Sequence, residues 1–167
     1  MKPPSETAVP PVPIQEAVAE FFSALLGVGT AATKVSPSEV EADGSHIIGV
    51  YRDDLERIAA LVTGDLVFAA ASGAALAMIP ASAARDEVKA GALSENLLEN
   101  FREVCNVTAS LLNTPSTPHL TLIDSWPSDH PDLPSEVWDV LAKPSKRREF
   151  AVTLDGYDDG HLGIAIG

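Results

Sequence analysis

The sequence predicts an α+β domain in which two or three helices cover one face of a largely antiparallel sheet. Three observations carry this. Apolar residues recur at three- and four-residue spacing in two long stretches, and an uncharged, Ala-rich run between them reads as a buried helix. Short alternating runs come in pairs joined by turn-forming residues, which marks β-hairpins. The chain has 167 residues, 46% of them hydrophobic, enough for one well-cored domain and too few for two.

Taken in order, residues 1–13 hold five of the thirteen prolines and no apolar period, so they are expected to form a disordered or extended tail. A single domain is then expected over 14–167. Residues 14–27 read as a helix, with Ile14, Val18, Phe21, Phe22, Leu25 and Leu26 on one face and Gly27 as its stop. Residues 28–44 are loop-like, with a short strand at 32–35. Residues 46–51 and 56–62 make a hairpin around Arg52, Asp53 and Asp54. Gly64 and Asp65 cap a small-residue helix over 66–79, which Pro80 ends. A long central helix is expected to begin at Ser82 or Ala83 and run unbroken to about Asn113. After the break at 113–118, residues 119–126 alternate as a strand. Residues 127–134 are an acidic, Pro-rich loop flanked by Trp126 and Trp138, and 135–142 a short helix. Residues 147–154 and 161–166 form a last hairpin.

Composition excludes several function classes. A net charge of −13 argues against nucleic acid and anionic lipid as partners. The basic run at 143–148 is too small for a nucleic-acid footprint and is read as local compensation of an acidic surface. The one cysteine, Cys105, cannot form an internal disulfide, which fits a reducing cytoplasm. Beside Val104 on the central helix, it reads as a small core residue and not a nucleophile. The four histidines have no zinc or di-iron spacing, so no intrinsic metal site is expected. Gly27-Val28-Gly29 runs into Thr-Ala-Ala, not a phosphate-loop Lys-Ser/Thr. The uncharged run 66–81 is shorter than the roughly 20 residues a membrane span needs. The N-terminus lacks the apolar segment of a signal peptide.

The central helix carries the candidate chemistry. Leu93, Leu97, Phe101, Val104, Thr108, Leu111 and Leu112 share an apolar face. Glu95, Glu99, Arg102, Glu103, Asn106, Ser110 and Asn113 lie opposite. Glu99, Glu103 and Asn106 stand nearly in line, at spacings of four and three. Such a stripe is most often only the wet face of an amphipathic helix. Yet the like charges of Glu99 and Glu103 cost a few tenths of a kcal/mol, which Arg102 offsets. An asparagine can hold a water through its carboxamide, and a glutamate can engage a cation on a partner.

The element order and Glu103-Val104-Cys105-Asn106, followed by Val107-Thr108-Ala109-Ser110, resemble the CheC/CheX/FliY family of chemotaxis phosphatases, CheX most of all. The resemblance spans 14–167. It implies a CheC/CheX-like fold and hydrolysis of the phospho-aspartate of a CheY-like receiver domain. Asn106 would orient the attacking water and Glu103 would pair with the receiver's lysine, with Glu99, Arg102 and Ser110 at the contact. The Mg²⁺ would come with the receiver, and no metal would be bound by this chain. Three features depart from the family's pattern: Glu99 replaces a shorter Asp or Ser, Ala109 or Ser110 replaces a Gly, and the downstream proline (Pro127 or Pro131) has no unique match. Glu16, Glu20 and Ser23 echo the motif's spacing in the first helix, without a carboxamide. The alternative is a CheX-like module that binds or dimerises without catalysis. A homodimer would use the terminal hairpin, 147–166, as its sheet edge.

Overall fold

The computed structural model describes residues 9–167. The part of the expected tail at 1–8 lies outside the described residues. Residues 9–13 carry no helix or strand, but Val12 is buried and Arg148 donates to the Val12 and Pro13 carbonyls at 2.9 and 3.2 Å.

The elements are α1 (Gln15–Leu26), β1 (Thr30–Val35), β2 (His46–Arg52), β3 (Ile58–Asp65), α2 (Leu66–Leu76), α3 (Ala81–Ala90), α4 (Glu95–Leu112), β4 (Thr121–Pro127), α5 (Glu136–Ala142), β5 (Lys146–Leu154) and β6 (Gly160–Ile166). The strands form one sheet in the order β1-β5-β6-β3-β2-β4, and every neighbouring pair is antiparallel. Among the described residues, no helix is long and apolar enough to cross a membrane.

Local chemistry explains most boundaries. Gly27 ends α1 in the left-handed conformation, and the Asp65 carboxylate accepts from the Phe68 amide at 2.8 Å to start α2. The expected unbroken central helix is instead two helices. Gly91, at φ 80°, closes α3, because only glycine adopts that conformation without strain. Ser94 then caps α4 by accepting from the Leu97 amide at 3.2 Å, while its own amide donates to Glu87.

The terminal hairpin also lies elsewhere than expected. β5 pairs with β1 on one side and β6 on the other, and β6 continues onto β3. The hairpin is therefore the middle of the sheet, and the edges are β1 and β4.

Helices α1, α2 and α4 cover one face of the sheet. At the centre, Phe22, Phe68 and Phe101, one from each helix, meet edge to face with ring centroids 5.6 and 6.1 Å apart. The small side chains of α2 (Ala69, Ala70, Ala71, Ala74, Ala75) are buried and let the helices lie close. The second face is partly covered by α5, whose Val137 and Val140 pack with Ile48, Val50, Leu61 and Ala165.

His46, at the start of β2, gives the fold a pH dependence. Its burial disfavours the charged imidazolium and lowers its pKa from 6.5, outweighing the upward pull of Asp65, Glu149 and Asp43; Arg147 also lowers it. The unfolded chain therefore takes up this proton first as pH falls, and stability is lost from about pH 6.5 down to the lower folded value. Urea unfolding across that range is expected to show a decline that His46→Gln flattens; an equal slope in the variant would rule out this origin.

Candidate functional site

Helix α4 is held down at several points beneath its exposed stripe. Leu97, Phe101, Val104, Cys105, Thr108 and Leu112 are buried. Cys105 lies against β2 where Gly49 leaves room: a Cβ on Gly49 would come within 2.9 Å of the Cys105 Sγ. Burial pushes the Cys105 thiol far above its ordinary pKa, so this cysteine is a packing residue and not a nucleophile. The Tyr51 hydroxyl, fully buried on β2, donates to the Cys105 carbonyl at 2.5 Å. That bond fixes the helix backbone between Glu103 and Asn106.

At the C-terminal end, Asn113 leaves the stripe in which the sequence placed it. Its side chain donates to the Leu120 carbonyl at 3.1 Å and accepts from the Leu120 amide at 2.7 Å. It thus clasps the end of α4 to the strand that follows. On the outer side, the Arg102 guanidinium pairs with Asp124 of β4 at 2.9 Å. Neither Tyr51 nor Asp124 was identifiable from periodicity, which does not say which strand underlies a helix.

Glu99, Arg102, Glu103, Asn106 and Ser110 are all exposed. Among the described residues, the side chains of Glu99, Glu103 and Asn106 have no hydrogen-bond partner. Ser110 donates to the Val107 carbonyl at 2.8 Å and Arg102 is engaged by Asp124, so these two flank the line as fixed groups. Neighbours three or four apart on a helix have Cβ atoms roughly 5–6 Å apart. The result is a carboxylate, a second carboxylate and a carboxamide, presented together on a rigid rod and open to a partner. The first-helix echo has another use: the Ser23 hydroxyl accepts from the Thr30 amide at 3.0 Å and holds the turn into β1. Among the described residues, no group of three or more His, Cys, Asp or Glu is placed to hold a metal ion.

Removing the Tyr51 hydroxyl tests the anchor. Tyr51→Phe is expected to lower unfolding stability by about 1 kcal/mol, since the ring stays packed and one buried hydrogen bond is lost. Denaturant unfolding measures this, and an unchanged midpoint would show that the bond contributes nothing to stability.

No protein-family model and no curated protein matches the chain. The solved structure of Thermotoga maritima FliY matches with a TM-score of 0.59 and 16% sequence identity, covering 90% of this chain and 82% of that one. The fold is that of FliY. The FliM middle domain from H. pylori aligns over 91% of this chain and 84% of its own, at 7% identity and a TM-score of 0.49. At these identities the FliY likeness is one of architecture. Within this FliY-like frame, α4 crosses the β2–β4 end of the sheet, and its exposed line faces away from the core.

Proposed function

We propose that the chain is a cytoplasmic, CheX-like phosphatase of phosphorylated CheY-like receiver domains. The observation that carries this reading is the exposed, unpartnered Glu103–Asn106 pair on α4 of a FliY-like fold. An aspartyl phosphate is already a reactive anhydride, so placing a water in line with it is most of the work. The Asn106 carboxamide donates and accepts, and so orients that water. The water oxygen bonds to phosphorus, the bond from phosphorus to the aspartyl oxygen breaks, and the water's protons leave with inorganic phosphate. Glu103 pairs with the receiver's lysine and sets the pose. Glu99 adds a second carboxylate to the docking face, while Arg102 and Ser110 contact its margins. The Mg²⁺ that neutralises phosphoryl oxygens belongs to the receiver, and no residue of this chain is assigned to it. The acidic face matches a cationic partner surface and speeds encounter more than it adds affinity.

The test is the decay of a phosphorylated receiver in the presence of Mg²⁺, with and without this protein. Accelerated decay supports the reading. Binding without acceleration would favour a non-catalytic module, a reading that the extra methylene at Glu99 supports. In that case a homodimer would add its second copy at β1 or β4, the open sheet edges, and sedimentation would detect it.

A further inference from the structure

The arginines Arg52, Arg57, Arg85 and Arg102 each face a carboxylate: Glu56, Asp53, Asp158 and Asp124. Arg147 and Arg148 are held differently. Arg147 donates to the Ser38 carbonyl, and Arg148 to the carbonyls of Val12 and Pro13. Carbonyls orient a guanidinium without cancelling its charge. Lys34 of β1 and Lys146 at the start of β5 have no ion-pair partner among the described residues. Lys34, Lys146 and Arg148 stand opposite Phe150, Ile166 and Ile164 and so lie on the helix-covered face, whereas Arg147 stands opposite Ala165 and turns its guanidinium to the other face. With Pro11 and Val12 these residues line a cavity of about 420 Å³, and no carboxylate lines it among the described residues. The acid in the same stretch of β5, Glu149, is buried and taken by Ser38 at 2.9 Å and His161 at 3.1 Å. In a chain with 24 acidic and 11 basic residues, compensation would be expected to scatter cations among carboxylates; here Lys34, Lys146 and Arg148 gather on one face away from them. The cavity is also open along one side. Pairing of β1 with β5 stops at Val35 opposite Glu149, so residues 146–148 run past the end of the edge strand.

The volume falls within the ~300–1,000 Å³ of small-molecule sites. Among the described residues no aromatic ring lines it, so none of them stacks on a base. One guanidinium fork, that of Arg148, and the two ammonium groups of Lys34 and Lys146 suit phosphoryl oxygens, and three charges suit more than one phosphoryl group. A long acidic polymer would run onto the acidic remainder of the surface, whereas a compact anion stays within about one Debye length, ~8 Å, of the cations.

We propose that this cavity, at the β1–β5 end of the sheet and remote from α4, binds a compact phosphate compound carrying two or more phosphoryl groups. The test is calorimetric titration of the protein with inorganic tripolyphosphate at low and physiological salt. Saturable one-to-one binding that weakens with salt is expected. It should weaken at least tenfold in the Lys34→Gln/Lys146→Gln double variant, whose side chains are exposed, and persist in the Lys34→Arg/Lys146→Arg form and in Lys89→Gln. No saturable binding, or equal affinity in the Gln double variant, would overturn the proposal. A hexaglutamate peptide binding as tightly as tripolyphosphate would also overturn it, in favour of an acidic protein segment.

Discussion

Asn106→Ala is expected to abolish the acceleration of receiver dephosphorylation, a loss on the order of 100-fold in kcat/KM, since catalysis by positioning is lost when the positioned group is removed. Asn106 is exposed and makes no hydrogen bond among the described residues, so the unfolding free energy should change by no more than a surface substitution allows, about 0.5 kcal/mol. The loss would then be chemical and not a failure to fold. Glu103→Gln separates the two roles. It keeps the shape, removes the charge that meets the receiver's lysine, and should raise KM more than it lowers kcat. Single-turnover decay at several protein concentrations distinguishes these effects. An Asn106→Ala protein that still accelerates decay as well as the parent would move the water-positioning role off α4.

The largest expected stability effect is at Phe68. Its ring touches Phe22 of α1 and Phe101 of α4, and its side chain is fully buried. Phe68→Ala should cost about 3–5 kcal/mol, from lost transfer energy and the cavity left behind. For a chain of this size that is a fall of roughly 10 °C or more in Tm. Met78→Ala, at a side chain 89% exposed, is the matched control and should change stability by less than about 0.5 kcal/mol. Calorimetry on the two variants checks both values. A Phe68→Ala protein melting with the parent would mean that the helix layer does not depend on this ring.

What was legible in the sequence was local. Gly27, Asp65 and the apolar run of residues 46–51 each act within a few positions, and the structure places the helix stop, the helix cap and the strand as read. The break between α3 and α4 was local too, but Gly91 and Ser94 were overridden by apolar spacing on either side. A glycine inside a helical pattern and a left-handed helix stop look alike until its φ is known. The place of the terminal hairpin was beyond local reasoning. Hydrophobic alternation shows that residues 147–154 form a strand, but Thr30 standing opposite Leu154 follows from the packing of the whole chain. The same limit applies at the site. The line of Glu99, Glu103 and Asn106 follows from helical geometry alone, while Tyr51 and Asp124 reach α4 from strands distant in sequence.

The position of that hairpin bears on how the molecule comes together. Among the described residues β1 has no partner other than β5, and β3 reaches β5 only through β6. The two halves of the sheet, though mostly drawn from earlier in the chain, cannot join until residues 146–166 insert between them. Closing so long a loop carries an entropic cost before the new contacts repay it, and folding should be slow for a domain of this size. Until insertion, β1 and β3 each present an unpaired edge, so the time spent waiting for residues 146–166 is when the chain is most exposed to self-association.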